Sequence, residues 1–352
     1  MDEKEIFAIG VMSGTSLDGI DVVYIKFLKS TNTSFKILHA KTVAYSKEWR
    51  QLLQHALHFS TDKLLDLDTK YGKYLGTVIR DFIQQYKIKN IDFIASHGHT
   101  VLHEPQKAIT LQIGSGEEIA KITKQKVVCD FRTQDVNLGG QGAPLVPIGD
   151  DLLFSQYDFC LNLGGFSNVS YREKGERIAF DICPVNIVLN FYANKIDLEY
   201  DASGKIATEG KINAALLEKL NAIDFYDTAP PKSLGLEWVQ KEIFPLIDAH
   251  EASVSSILST FVEHIAFQIS KIIKDSNSVL ITGGGVFNSF LMERIEVHSN
   301  VKTVLPSDAL INYKEALIFA FLGMLKIDNQ VNCLKSVTGA SKNHSSGVIF
   351  SI

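Results

Sequence analysis

The sequence predicts an α/β protein of two similarly built domains, each a mixed sheet that opens with an antiparallel meander. Three observations carry that reading. Residues 7–45 alternate apolar, β-forming runs with small-residue turns. Residues 159–182 repeat the same order of strand, glycine turn, strand, strand. Each meander is followed by stretches whose apolar residues recur at three- and four-residue steps, the period of a helix. The repeat is one of architecture rather than of residues. A chain of 352 residues is long enough for two separate cores.

The first hairpin spans residues 9–23, and its tip is Ser13, Gly14, Thr15, Ser16, Leu17, Asp18 and Gly19. So few bulky side chains leave backbone N–H groups and hydroxyls to face an anion, above all a nucleotide phosphate. The glycines would supply φ > 0, and Asp18 would orient a metal ion on the phosphate. An ordinary tight turn fits SGTS alone about as well. A third strand follows over 35–45, then a helix over 61–88. Strand 91–95 runs into Ser96, His97, Gly98, His99 and Thr100. Strand 110–113 precedes a Ser115/Glu118 capping signature and a helix through residue 122. Strand 127–130 ends at Asp130, Phe131 and Arg132. The loop chemistry of 137–147 places a domain boundary just before it. The expected domains are 1–135, rejoined by the C-terminal segment 338–352, and 136–337.

The second meander comprises strand 159–163, a tight turn from Gly164 and Gly165 to Asn168, and strands 169–172 and 178–182. Helices are expected over 186–193, 211–223 and 248–273, the last the most clearly amphipathic. Strand 279–282 runs into Gly283, Gly284, Gly285 and on to Asn288. Strand 301–304, helix 314–325 and a short strand within 347–352 complete the chain.

Composition narrows the partners. Apolar residues make up 45% and charged residues 21%, and the net charge of −5 offers no electrostatic case for nucleic acid or an anionic membrane. No 18-residue apolar run exists, and the acidic start MDEKEIF is unlike a signal peptide's basic first region. Cys129, Cys160, Cys183 and Cys333 form no CxxC pair and read as reduced thiols. The expectation is a soluble cytoplasmic protein.

Three glycine turns each follow an apolar strand, in two similarly built halves. They suit a cleft whose loops grip a nucleotide, although neither the Walker loop nor GxGxxG before a helix is present. Transfer of a phosphoryl group needs positioning, charge neutralisation by a metal and one carboxylate to take a proton. Asp18, Asp130 and Asp181 are the candidates at strand ends, against the plain reading of each as a buried or capping Asp. Asp181 lies just before the turn Cys183, Pro184, Val185, Asn186 that opens a helix, so its carboxylate can point into a cleft. His97, His99 and His103 have metal-ligand spacing. With Gly98 between the first two and no Cys or Asp adjacent, no metal is expected there, and hydrogen bonding to substrate or loop packing is the better reading. Arg132 is either a carboxylate or phosphate clamp or half of an ion pair.

Taken together, the blocks VMSGTSLDGIDVV, SHGHTVLHEP, DFRTQDVNLGGQGAPLVP, LNLGGFSNVS, FDICPVN, YDASGKIATEG, PPKSLGLEW, ITGGGVFN and NYKEALIFAFLG resemble those of the anhydro-N-acetylmuramic acid kinases, in order along nearly the whole chain. The resemblance implies two ribonuclease-H-like domains of the actin-like ATPase fold, with ATP in an interdomain cleft. It implies an ATP- and Mg²⁺-dependent reaction that opens 1,6-anhydro-N-acetylmuramic acid with water and gives N-acetylmuramic acid 6-phosphate, in peptidoglycan recycling. Carried over by motif, Asp181 is the base that activates the water. Ser13, Gly14, Thr15, Ser16, Leu17, Asp18 and Gly19 form the first ATP-phosphate loop, Gly164, Gly165 and Asn168 the second, and Gly283, Gly284, Gly285 and Asn288 the adenosine loop. His97, Thr100, Asp130, Arg132 and Glu315 line the sugar side. A homodimer is implied as well. The chain departs from the pattern at Cys183 and Val185, where the family has glycines, and at His99, where it often has Gln. A kinase of the same fold acting on another sugar, or a non-catalytic nucleotide switch, is the alternative.

Overall fold

Near-continuous apolar runs, buried over 8–11 and 22–25, build the first two strands of the opening sheet. In the computed structural model, which describes residues 4–14, 17–30, 33–250, 252–301 and 303–351, seven strands precede residue 130. They are β1 (Lys4–Met12), β2 (Ile20–Lys29), β3 (Ser34–Val43), β4 (Phe93–Ser96), β5 (His99–Glu104), β6 (Ile109–Ile113) and β7 (Val127–Cys129). Five follow from residue 159: β8 (Phe159–Leu163), β9 (Phe166–Glu173), β10 (Glu176–Pro184), β11 (Val279–Thr282) and β12 (Thr303–Val304); β13 (Val348–Phe350) closes the chain.

The chain divides into two units, 1–153 with 313–352, and 154–312. The sheet of the first runs β13-β7-β4-β1-β2-β3. Strands β1, β2 and β3 form the antiparallel meander, β4 is parallel to β1 and β7 parallel to β4, and β13 joins antiparallel to β7. The sheet of the second unit runs β10-β9-β8-β11-β12, with an antiparallel meander over β8, β9 and β10 and parallel additions at β11 and β12. In each, the strands stand in the order third, second, first, fourth, fifth. This is the ribonuclease-H-like arrangement, and its duplication makes the chain an actin-like ATPase fold.

The unit boundaries lie at 153/154 and 312/313, not at 135/136 and 337/338. Residues 136–153 and 313–337 belong with the first unit because their side chains are satisfied there. Buried Asp135 accepts from the Gly142 N–H and the Thr338 hydroxyl, and buried Lys314 pairs with Asp150 at 2.6 Å. The helix Asp308–Ile327 carries non-helical backbone at Tyr313 (φ −120°, ψ 15°), where the units divide. Sequence periodicity gave this helix only from residue 314, and it gave no sign of the short helix Lys47–His55 or of β5, which pairs with β6 as a two-stranded ribbon.

The helix Thr61–Gln85 buries Leu64, Leu67, Tyr71, Leu75, Val78, Ile79 and Phe82, most of the stripe expected from its spacing, while Leu65, also counted in that stripe, is exposed. The buried residues join Ile9, Val11, Ile20 and Val22 in the core of the first unit. The second core is centred on the helix Val254–Ile273 and on Leu161, Val169 and Phe180 of the sheet. At Gly10, a Cβ would overlap the Ala316 carbonyl oxygen. That obstacle is backbone and cannot rotate away. Gly10→Ala is therefore expected to lower the stability of the first unit by about 3 kcal/mol, read as a lower denaturation midpoint; an unchanged midpoint would disprove the tight strand–helix contact.

Candidate active site

The hairpin tip between β1 and β2 is fixed from beneath. Ser13 is buried beside the hydrogen-bonded hydroxyl pair of Tyr45 and Tyr71. His99 is buried against the backbone of Ser13 and Gly14 and edge-on to Tyr71. Desolvation lowers the His99 pKa and these backbone bonds oppose the fall. Left-handed backbone was expected at a glycine. It falls on Leu17 (φ 60°), while Gly19 is required by space, since a Cβ there would lie 2.7 Å from the Val43 carbonyl oxygen. Asp18 is exposed. Thr15 and Ser16 lie outside the described residues.

Also in the first unit, Arg132 donates through Nε to His97 Nε2 at 2.9 Å and through a terminal nitrogen to the Gly142 carbonyl at 2.6 Å. Since Nε2 accepts, the His97 proton sits on Nδ1, 2.8 Å from the Gly98 carbonyl. Burial and the adjacent guanidinium hold the His97 pKa well below its ordinary value, so the ring is neutral. His97 thus orients Arg132 and has neither ring nitrogen left for a metal. Burial also brings Arg132 down to about 10, opposed by the Glu315 charge, so it stays cationic at neutral pH. Glu315 is exposed, yet the protein around it raises its carboxyl by desolvation, with Arg132 pulling it back and Asp21 adding to the rise.

Asp130 adopts left-handed backbone (φ 55°) and accepts from the Thr133 hydroxyl at 2.6 Å. A non-glycine residue held there is strained, as active sites often are. His97 and Asp130 line a cavity of about 430 Å³ in this unit, with Asp68, Gln112 and Thr133, a volume that suits a monosaccharide. Thr100 stands apart from Arg132, its hydroxyl 3.4 Å from Gln112 Nε2.

In the second unit Asp181 lies on β10 directly opposite Asn168 on β9, which is in turn opposite Asn162 on β8. Directly paired residues share a face, so the three polar side chains form a row. Asn168 therefore belongs to a strand and not to the turn, which is only Gly164 and Gly165. The Asp181 N–H donates to the Lys232 carbonyl at 3.1 Å, and its Oδ2 accepts from the Leu234 N–H at 2.8 Å. Desolvation raises its pKa and the Leu234 bond resists the rise. The segment holding Asp181 was visible in the sequence as PPKSLGLEW, but nothing in its residue types revealed a clamp made of backbone.

The glycine turns of this unit meet at the end of β8. Gly283 has φ 88°, and a Cβ would lie 2.6 Å from Asn162 Oδ1 and 2.7 Å from the Leu163 carbonyl. The N–H groups of Val185 and Ile187 donate to the Gly165 carbonyl, and that of Asn186 to the Gly164 carbonyl. The second turn thus seats the start of the helix Asn186–Asn194. Asn288 caps the helix Ser289–Ser299, accepting from the Leu291 N–H at 3.0 Å.

The family model for anhydro-N-acetylmuramic acid kinase matches residues 6–352. The chain belongs to the anhydro-N-acetylmuramic acid kinase family. Among its relatives, the anhydro-N-acetylmuramic acid kinase of Mannheimia succiniciproducens is 35% identical, over 98% of both chains. That of Legionella pneumophila strain Lens is 33% identical, again over 98% of both. Among solved structures, the ligand-bound xylulose kinase of Lactobacillus acidophilus overlays with a TM-score of 0.47 at 13% identity, covering 90% of this chain and 89% of that one.

In this member of the kinase family the two departures after Asp181 are absorbed by the core. Cys183 and Val185 are fully buried, and the Cys183 N–H and carbonyl are both bonded to the Ser167 hydroxyl. Side chains that point into the core leave the backbone of the loop to shape the site. The cost falls on Val185, whose ψ of −100° is unusual for a β-branched residue.

Proposed function

We propose that the protein is an ATP-dependent kinase that opens the ring of 1,6-anhydro-N-acetylmuramic acid with water and phosphorylates O6, giving N-acetylmuramic acid 6-phosphate. Membership of the family supports the substrate. The observation that carries the chemistry is the Asp181 carboxylate. One oxygen is fixed by the Leu234 N–H, no hydrogen bond among the described residues engages the other, and partial burial strengthens it as a base. Its role is to take a proton from the water that adds at the anomeric carbon, while the released O6 accepts the γ-phosphoryl group.

Each unit contributes by its own geometry. In the first, the Ser13 to Gly19 tip cradles phosphate oxygens, and Arg132 offers its remaining N–H groups to the sugar's carboxylate. Two of its five donors are spent on His97 and Gly142, which aims the rest. In the second, Gly164, Gly165 and the Gly283 to Gly285 turn present backbone to the nucleotide; a side chain at Gly283 or Gly285 would collide with Leu163, whereas Gly165 and Gly284 have room for one. Mg²⁺ would neutralise the charge on the transferring phosphate, and exposed Asp18 is the carboxylate within the Ser13 to Gly19 loop that would hold it. The reading includes a homodimer, which rests on the family resemblance, and a cytoplasmic location, which rests on composition and the reduced cysteines. No helix among the described residues is long and apolar enough to cross a membrane.

The test is a mass-resolved assay with ATP, Mg²⁺ and the anhydro sugar, beside N-acetylmuramic acid and N-acetylglucosamine. The expected product carries one phosphate and one added water and forms only from the anhydro sugar. Phosphorylation of another sugar would move the substrate, and turnover independent of any sugar would favour a nucleotide switch.

A further inference from the structure

We propose that the first unit contains a metal-binding site for one borderline divalent ion, Zn²⁺ being the best fit, formed by Asp135, Cys333 and His344. The three come together by construction. Cys333 and His344 face each other in an isolated antiparallel bridge, the Cys333 N–H donating to the His344 carbonyl at 3.1 Å and the reverse bond measuring 3.2 Å. The helix Thr133–Asn137 delivers Asp135 to the same point. One donor atom from each lies within 4.8 Å of the others, with Asp135 Oδ1 3.0 Å from Cys333 Sγ and 3.6 Å from His344 Nε2. Tetrahedral zinc, with bonds of about 2.0–2.3 Å, sets its donors about 3.3–3.8 Å apart.

The decisive group is His344. It is 5% exposed, and its Nε2 is buried without a hydrogen-bond partner. Its Nδ1 lies 3.2 Å from the Lys342 carbonyl, which can only accept. Nδ1 therefore carries a proton, and Nε2 is the nitrogen that faces the Asp135 carboxylate oxygen, 3.6 Å away. A proton on Nε2 would find that oxygen at 3.6 Å, beyond a hydrogen bond. Asp135 Oδ1 meanwhile accepts from the Cys333 thiol at 3.0 Å, so an ion seated among the three would displace the thiol proton and give His344 Nε2 the partner it lacks. The arrangement of Nδ1–H on a backbone carbonyl with Nε2 towards the metal is the usual way a ligand histidine is oriented. Asp135 is held likewise, its Oδ2 accepting from the Gly142 N–H at 2.7 Å and its Oδ1 from the Thr338 hydroxyl at 2.7 Å.

Charge and softness agree with the assignment. A carboxylate and a thiolate together carry two negative charges, which a divalent ion cancels, and an O, S, N donor set suits zinc better than magnesium or calcium. Without an ion, burial holds the Cys333 thiol protonated; on binding, that proton leaves to solvent as the metal–sulfur bond forms. The ion would tie the 332–346 segment to Gly142, whose carbonyl holds Arg132.

The test uses the full chain, purified without a metal-affinity tag, stripped with a chelator and reloaded with Zn²⁺ or Co²⁺. The expected result is one equivalent of Zn²⁺ retained through desalting, a raised denaturation midpoint, and a thiolate-to-cobalt charge-transfer band in the near ultraviolet. Cys333→Ser should abolish the band and His344→Ala should weaken zinc binding by more than the roughly 10–100-fold that outer-shell partners contribute, whereas Cys160→Ser should keep both. Should a variant fail to fold, the wild-type readings decide alone. Retention below about a tenth of an equivalent with no band, or a band that survives Cys333→Ser, would overturn the site.

Discussion

Asp181→Asn is expected to bind ATP within a few-fold of the parent protein and to lose roughly 10³-fold in turnover, the contribution of a general base. The substitution keeps the size of the side chain and an oxygen for the Leu234 N–H, so the β10 backbone should stay where it is. A loss under about tenfold would count against Asp181 as the base. The raised pKa adds two checks. The base works only when ionised, so activity should fall with decreasing pH along a limb that lies above the ordinary aspartate value of 3.8. Stability moves the other way. For an acid whose folded pKa is raised, the destabilising charge appears as pH climbs through that pKa. Asp181→Asn should therefore melt higher than the parent at neutral pH, and the gain should vanish below pH 3.8. A variant that is inactive and less stable at every pH would indicate a damaged fold instead.

Arg132→Lys is expected to lower kcat/KM for the sugar by about a hundredfold while leaving the KM for ATP nearly unchanged. Lysine keeps the charge but cannot donate at once to His97 Nε2, the Gly142 carbonyl and a planar carboxylate. Losing one charge-assisted pair of hydrogen bonds costs about 1.5–3 kcal/mol, which matches that factor. His97→Ala should produce a smaller loss, mostly in KM, because it leaves the guanidinium in place and removes only the acceptor that orients it. Equal losses for the sugar and for ATP in Arg132→Lys would place the guanidinium on the nucleotide instead.

The candidate site residues and the groups that support them differed in how far residue types could reveal them. The Ser13 to Gly19 tip, the Gly283 turn and Asp181 were legible because each sits where an apolar run stops, and the end of a strand is written in local pattern. Gly283 confirms the logic, since its φ of 88° and its crowding against Leu163 leave no room for a side chain. The supports were less legible. Leu234 holds Asp181 through a backbone N–H that any residue but proline could supply, 53 positions away. His99, for which hydrogen bonding to substrate or loop packing was the better reading, is buried against the backbone of Ser13 and Gly14. Both ring nitrogens of His97 are spent on Gly98 and Arg132.

The metal constellation marks the limit of sequence spacing most clearly. His97, His99 and His103 have the spacing of ligands and do not converge, whereas Asp135, Cys333 and His344 lack any motif and meet within 4.8 Å. The domain limits tell the same story. Loop chemistry at 137–147 looked like a boundary, but Asp135 and Gly142 are bonded to each other and keep that loop in the first unit.

The sequence by itself determined the class of fold, the duplicated meanders, the family and the placing of its glycine turns. All of these depend on period, on residue size and on order along one chain, which local physics makes readable. Only the tertiary structure decided where one unit ends, which histidine steadies which partner, and how Cys183 and Val185 fit beside Asp181. Those outcomes depend on contacts between residues up to some two hundred positions apart, such as Thr338 with Asp135. Burial then fixes protonation there, because a charge or a lone pair withdrawn from water must find its partner within the fold.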